Sequence, residues 1–244
     1  MADPGLANRL AALRAELPPS TRLLAVSKGQ PATAIREAVV AGQRSFGESR
    51  LQEALAKRAE LADLEPLDWH FIGRLQANKA RQVLRHFATL HSLDSLELAQ
   101  RLQRLAIEED LTPALFLQVK LRPDPGKTGF EPEALRQAWP QLRRLQPLRL
   151  VGLMTIPPLG LNETELRQLF RDCAALAAEL ELKELSMGMS GDWRPAVAAG
   201  STWVRLGSGL FGARPGAASP GPRGDADGPG PDEATPASQR RADP

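Results

Sequence analysis

The sequence predicts an α/β protein built as a single (β/α)8 barrel, of the TIM type. Two observations carry that reading. Short apolar runs alternate with amphipathic helical patterns through residues 1 to 214, and such alternation makes a parallel sheet with right-handed crossovers. Eight strand-like runs fall in that span, which suits a closed barrel better than an open doubly wound sheet of about six strands.

A leading helix is expected over about Pro4 to Glu16. The strands are read as Leu23–Ser27, Arg44–Gly47, Asp68–Ile72, Thr89–Leu93, Ala114–Leu121, Leu148–Met154, Glu184–Met187 and Thr202–Leu206. Runs such as AIREAVVAG, RLQEALAKRAEL, SLELAQRLQRLAIEE and ETELRQLFRDCAALAAEL supply helices between them. Only the short segment GSGLFG follows the eighth strand. From Pro215 to Pro244 the chain holds 7 Pro and 5 Gly, and no Val, Ile, Leu, Met, Phe or Trp. A segment so poor in apolar surface reads as a disordered tail. The expected organisation is a barrel over 1–214 and a tail over 215–244.

Composition narrows the function. The net charge of +2 is too small to argue for nucleic acid, and the basic residues lie beside acids along helix-like runs. Cys173 is the single cysteine, so an intrachain disulfide and a cysteine-type metal site are excluded. No signal-peptide layout and no apolar run near 18 residues is present. A cytoplasmic protein without membrane contact is the expectation. The chain has 25 Arg, only 6 Lys and no Tyr.

With lysine so scarce, the stretch LLAVSKGQ at 23–30 stands out. Lys28 ends an apolar strand just before a glycine, and lysine is almost never buried without a reason. A lysine in a dry pocket loses its proton readily and acts as a nucleophile. In a barrel the active groups sit at the C-terminal ends of strands. Those ends read Ser27-Lys28, Gly47-Glu48-Ser49, His70-Phe71-Ile72-Gly73, His91-Ser92, Lys120, Met154-Thr155, Met187-Gly188-Met189-Ser190 and Arg205-Leu206-Gly207-Ser208. The result is a polar, glycine-rich ring.

The segment GSGLFG at 207–212 matches G-x-G-x-x-G. As a dinucleotide fingerprint it fails on context, because that motif opens the first βαβ unit and is followed by an acidic residue about 20 positions on. Its physics still favours an anion, since glycines let backbone N–H groups approach one. Barrels often bind phosphate after strands 7 and 8, where Ser190, Gly207, Ser208 and Gly209 fall. Strand 8 pairs with strand 1 in a closed barrel, so a phosphate site there adjoins Lys28. Pyridoxal 5′-phosphate (PLP) joins a phosphate to an aldehyde that condenses with lysine, and it needs a partner for its pyridine nitrogen. Arg205 lies between the two sites.

Six motifs in order now carry a resemblance: VSK at 26–28, FGES at 46–49, WHFIGRLQANK at 69–79, GLMTI at 152–156, LSMGMSGDW at 185–193 and VRLGSGLFG at 204–212. The chain resembles the PLP homeostasis protein family (YggS/PLPBP-like), single-domain relatives of the alanine racemase N-terminal barrel, and is most similar to its cyanobacterial branch. The resemblance covers nearly the whole body and not the tail. It implies that Lys28 carries PLP as a Schiff base. It implies that Ser190, Gly207 and Ser208 hold the phosphate and that Arg205 faces the pyridine nitrogen. It further implies that His70, Ser49 and Met187 line the pocket. In one departure, Ser49 stands where the family usually has asparagine; Arg74 falls at a variable point.

Racemisation needs two acid–base groups, classically a lysine and a tyrosine, and this chain has no tyrosine. With only the tail expected after strand 8, the second, mostly β domain of those racemases is not expected here. His70 or His91 could serve as the second base; histidines at strand ends are often only hydrogen-bonded structural groups, and that reading is favoured for His91. A permanently charged Arg205 keeps the pyridine nitrogen unprotonated and the ring a poorer electron sink. The expected function is a PLP-binding protein without catalysis of its own, acting in PLP (vitamin B6) homeostasis and amino-acid and keto-acid balance. The alternatives are a small PLP-dependent amino-acid racemase and a regulatory module in which PLP is a signal. Partners would be PLP itself, and PLP-dependent apo-enzymes or a regulatory protein; the expected assembly is a monomer or weak dimer. Lys120 is a further candidate for the inner face, paired with Glu48 or another polar residue of the ring. Trp69, Trp139, Trp193 and Trp203 read as core or rim packing.

Overall fold

The computed structural model describes residues 5–64 and 66–212. The expected tail at 215–244 lies outside them. The helices are α1 (Gly5–Glu16), α2 (Ala32–Val40), α3 (Leu51–Glu60), α4 (Ala80–His86), α5 (Leu96–Glu108), α6 (Pro132–Leu142), α7 (Glu163–Glu179), α8 (Trp193–Ala198) and α9 (Ser208–Phe211). The strands are β1 (Arg22–Val26), β2 (Ser45–Glu48), β3 (Asp68–Phe71), β4 (Thr89–Leu93), β5 (Ala114–Gln118), β6 (Arg149–Met154), β7 (Glu184–Ser186) and β8 (Trp203–Leu206). All eight strands pair in parallel and in order, and β8 returns to β1 to close the barrel. At that seam Leu24 lies opposite Arg205 and Ala25 opposite Leu206.

Local chemistry sets the element ends. Asn162 caps α7 by accepting from the Glu165 N–H at 3.0 Å, and Glu165 accepts from the Asn162 N–H in return. This reciprocal pair satisfies two N–H groups that a helix start otherwise leaves open. Ser95 caps α5 in the simpler way, through the Leu98 N–H. One strand is shorter than the sequence suggests. β5 stops at Gln118, because Val119 bridges to Phe130 and the Lys120 N–H donates to the Phe130 carbonyl. The chain peels off to pair with the loop instead of running on to Leu121.

The apolar residues form two cores. The larger lies between the strands and the helices and includes Phe46, Phe87, Phe170, Ile35 and Leu102, each almost fully buried. Truncating such a phenylalanine to alanine costs about 3–5 kcal/mol. The smaller unites Leu24, Phe116, Met154 and Trp203. Those residues come from strands on opposite sides of the barrel, so this core fills the lumen. Barrel lumens are usually packed with branched apolar side chains. Here His70, His91, Ser186 and Arg205 occupy part of it, all at most 5% exposed. α1 packs against α2 and α9, and the Arg9 side chain donates to the Leu210 carbonyl at 2.6 Å. The leading helix thus ties the last turn of the fold to the first crossover.

Candidate functional site at the C-terminal mouth

Lys28 is half-buried just beyond β1. The turn that carries it is braced from behind. Gly29 adopts φ +71°, a left-handed conformation that only glycine reaches without strain, and its N–H donates to Glu53 Oε1 at 2.5 Å. Ser27 faces the helices and donates its hydroxyl to Glu48 Oε1 at 2.7 Å. Lys57 of α3 completes the brace. Its ammonium donates to the Ser27 carbonyl (2.7 Å), Glu48 Oε1 (2.7 Å) and Glu53 Oε1 (2.6 Å). Burial pushes the Glu48 carboxyl up, against the pull of Lys57 and Ser27. Burial also works to raise Glu53, but the bonds from Lys57 and the Gly29 N–H prevail and hold it below its ordinary value. Behind the turn a cavity of about 390 Å³ is lined by Gly29, Gln30, Glu53, Lys57 and Glu60.

Across the seam, the ends of β7 and β8 are clasped together. Ser190 Oγ accepts from the Gly209 N–H at 3.1 Å. A Cβ on Gly209 would come within 3.3 Å of that oxygen, tighter than most side chains tolerate. Gly207 sits against β1, where an added Cβ would lie 3.4 Å from the Val26 carbonyl oxygen. The exposed Ser208 opens α9 beside them. So the glycine-rich loop meets the strand that leads into Lys28.

Arg205 lies beneath, inside the lumen. Its Nη1 donates to the Ser186 carbonyl (2.5 Å) and hydroxyl (2.8 Å), and its Nη2 to the Thr155 carbonyl (2.9 Å). Burial lowers its pKa to about 10, with Asp192 and Cys173 opposing; the guanidinium therefore remains charged at neutral pH. Ser186 Oγ also lies 2.8 Å from His91 Nδ1. His91 Nε2 is 2.9 Å from His70 Nδ1, and His70 Nε2 is 2.7 Å from Asp68 Oδ2. Burial first, then the charges of His70 and Arg205, hold His91 well below its ordinary value.

The structure sorts the residues singled out from the sequence. Lys28, Ser190, Gly207, Ser208 and Arg205 gather around the β7–β8–β1 ends. His70 sits in the lumen with both ring nitrogens engaged and its ring against Trp203. Met187, one residue beyond β7, is fully buried in the larger core. Ser49 borders a separate cavity of about 270 Å³, shared with Arg74 and Lys79. Lys120 pairs with Glu131 at 2.9 Å and not with Glu48, whose partner is Lys57. Trp69, Trp193 and Trp203 are buried and Trp139 is partly so. Sequence reasoning missed Lys57 and Glu53, because their i,i+4 spacing is that of an ordinary surface helix pair.

The fold and its mouth define a class. A family model described as "Alanine racemase, N-terminal domain" matches residues 5–215. Among relatives, a pyridoxal phosphate homeostasis protein of Synechocystis sp. is 48% identical over 206 residues, 82% of this chain and 94% of that one. Another of that name from Pseudomonas aeruginosa is 48% identical, covering 81% of this chain and 86% of its own. PipY of Synechococcus elongatus has been solved without PLP (TM-score 0.84, 55% identity) and with PLP bound (0.83, 54%). Each comparison spans 85% of this chain and 100% of that one. The chain belongs to the pyridoxal phosphate homeostasis protein family.

Proposed function

We propose that the C-terminal mouth binds PLP reversibly, with Lys28 as the reacting amine, and that the protein acts in PLP homeostasis without catalysis of its own. One observation carries this reading: the Lys28 turn, the Ser190–Gly209 clasp and the buried Arg205 converge on the β8–β1 seam. The donor set fits the cofactor. Hydroxyls of Ser190 and Ser208 and the backbone at Gly207–Ser208 suit a phosphate, and the missing Cβ of Gly209 leaves room for Ser190 beside them. PLP, when bound, supplies an aldehyde that reacts with a primary amine and a ring that accepts electrons. PipY, solved with PLP bound, supports the same ligand here.

The chain's own residues also support the absence of catalysis. Arg205 is charged, and a cation facing the pyridine nitrogen keeps that nitrogen unprotonated. His70 has Asp68 and His91 at its two nitrogens, and His91 has His70 and Ser186. Neither ring offers a free nitrogen to a substrate, so the second base a racemase needs is not supplied by these two. The test is the absorbance spectrum of purified protein with PLP, for wild type and Lys28→Ala, followed by borohydride trapping and peptide mapping. The expected result is a yellow band in wild type only, with label on the Lys28 peptide. A band unchanged in Lys28→Ala would overturn the assignment of Lys28. Lys28-dependent racemisation of any amino acid by the pure protein would overturn the carrier reading in favour of a small racemase.

A further inference from the structure

The polar chain through the lumen has a direction. Arginine only donates, so Ser186 Oγ accepts from Arg205 Nη1. The single hydroxyl hydrogen of Ser186 then goes to its other neighbour, His91 Nδ1. With Nδ1 accepting, the ring hydrogen of His91 is on Nε2, which donates to His70 Nδ1. By the same logic His70 carries its hydrogen on Nε2 and donates to the Asp68 carboxylate. A cation at one end and an anion at the other impose the same order. The reverse order would leave the Ser186 hydroxyl hydrogen without an acceptor. It would also add a second positive charge to a lumen that already holds Arg205, a costly arrangement in a buried site.

We infer that Asp68, at the start of β3 on the opposite rim of the barrel, is a positioning residue for Arg205, acting through His70, His91 and Ser186 as a one-way chain of donors. Ser45 fixes the far end by donating to Asp68 Oδ2 at 2.9 Å. At the near end the planar guanidinium has three N–H groups committed to Ser186 and Thr155. Two of these bonds go to backbone carbonyls and the third to the Ser186 hydroxyl, which is the one contact through which the chain reaches the guanidinium. The consequence for PLP rests on the cofactor reading above; the direction of the chain does not.

The chain has only three histidines, so ring-nitrogen NMR of the ligand-free protein at pH 7 reads the chain directly. His70 and His91 should both be neutral with hydrogen on Nε2. Either ring carrying hydrogen on Nδ1, or on both nitrogens, would overturn the inference. Asp68→Ala should disturb the tautomer of His91, which Asp68 does not touch, and weaken PLP binding by about two- to thirtyfold, the range for coupling carried through such networks. Asp68→Asn keeps an acceptor oxygen and should preserve both readouts. A folded Asp68→Ala with an unchanged His91 signal and unchanged PLP affinity would overturn the positioning role. If Asp68→Ala does not fold, the wild-type spectrum and Asp68→Asn still decide. A wild type with the expected tautomers that does not bind PLP would instead overturn the cofactor reading.

Discussion

Two polar clusters, each mostly buried and each reaching the surface at one carboxylate, flank the candidate site and are built differently. The inner one runs Asp68–His70–His91–Ser186–Arg205 through the lumen. In the inferred direction, hydrogens are donated from Arg205 toward Asp68 through Ser186, His91 and His70. The outer one gathers Ser27, Glu48, Glu53 and Lys57 between β2 and α3. It is ionic, and one oxygen of the fully buried Glu48, Oε2, has no partner. The inner cluster keeps its charges at its two ends, the buried Arg205 and the exposed Asp68, and links them through uncharged hydrogen-bonding groups. The outer one holds the Lys28 turn by strong charge-assisted bonds, and forming it requires desolvating an ion pair.

Breaking the outer pair should have the largest effect. Lys57→Met leaves Glu48 buried without its cation and should cost about 3–5 kcal/mol in urea unfolding at pH 7.5. The double variant Lys57→Met/Glu48→Met should recover most of that, since apolar replacement of a whole buried pair is often neutral. A double variant as unstable as the single would show that the pair stabilises the fold in its own right. In the inner cluster, Ser186→Ala removes one neutral hydroxyl and should cost about 1–3 kcal/mol, through the unpaired His91 nitrogen.

A pH series sharpens the difference. His91 is harder to protonate when folded, mainly through burial, then through His70 and Arg205. Its contribution is therefore complete above the ordinary histidine pKa of 6.5 and is lost as pH falls below it. Between pH 7.5 and 5.5 the protein should lose about 1.4 kcal/mol from this group. His86, lowered by burial, Arg58 and Arg85, adds loss of the same sign. Urea unfolding at the two pH values, in wild type and His91→Gln, measures it; equal losses in both would sink the attribution. The smallest effect should come from an exposed pair. Removing Arg136, bonded to Glu179 on the surface, should leave the urea midpoint almost unchanged.

The strand ends were legible because they are local. An apolar run broken by a lysine marked Lys28, and glycines after the last run marked the clasp at 207–209. Alternation of runs revealed the barrel, and all eight strands fall where the pattern placed them to within a few residues. Lys57 stayed hidden because a helix face looks the same whether it meets water or a buried carboxylate.

The sequence by itself determined the order of the elements, the closed topology and the chemical types at the mouth. Those follow from periodicity and from residues adjacent in the chain. Only the tertiary structure decided that His91 of β4 meets Ser186 of β7, 95 residues apart, and that Asp68 reaches Arg205 through them. Such contacts depend on closure of the barrel and on the register of each strand, where one residue of slip would turn every inward side chain outward.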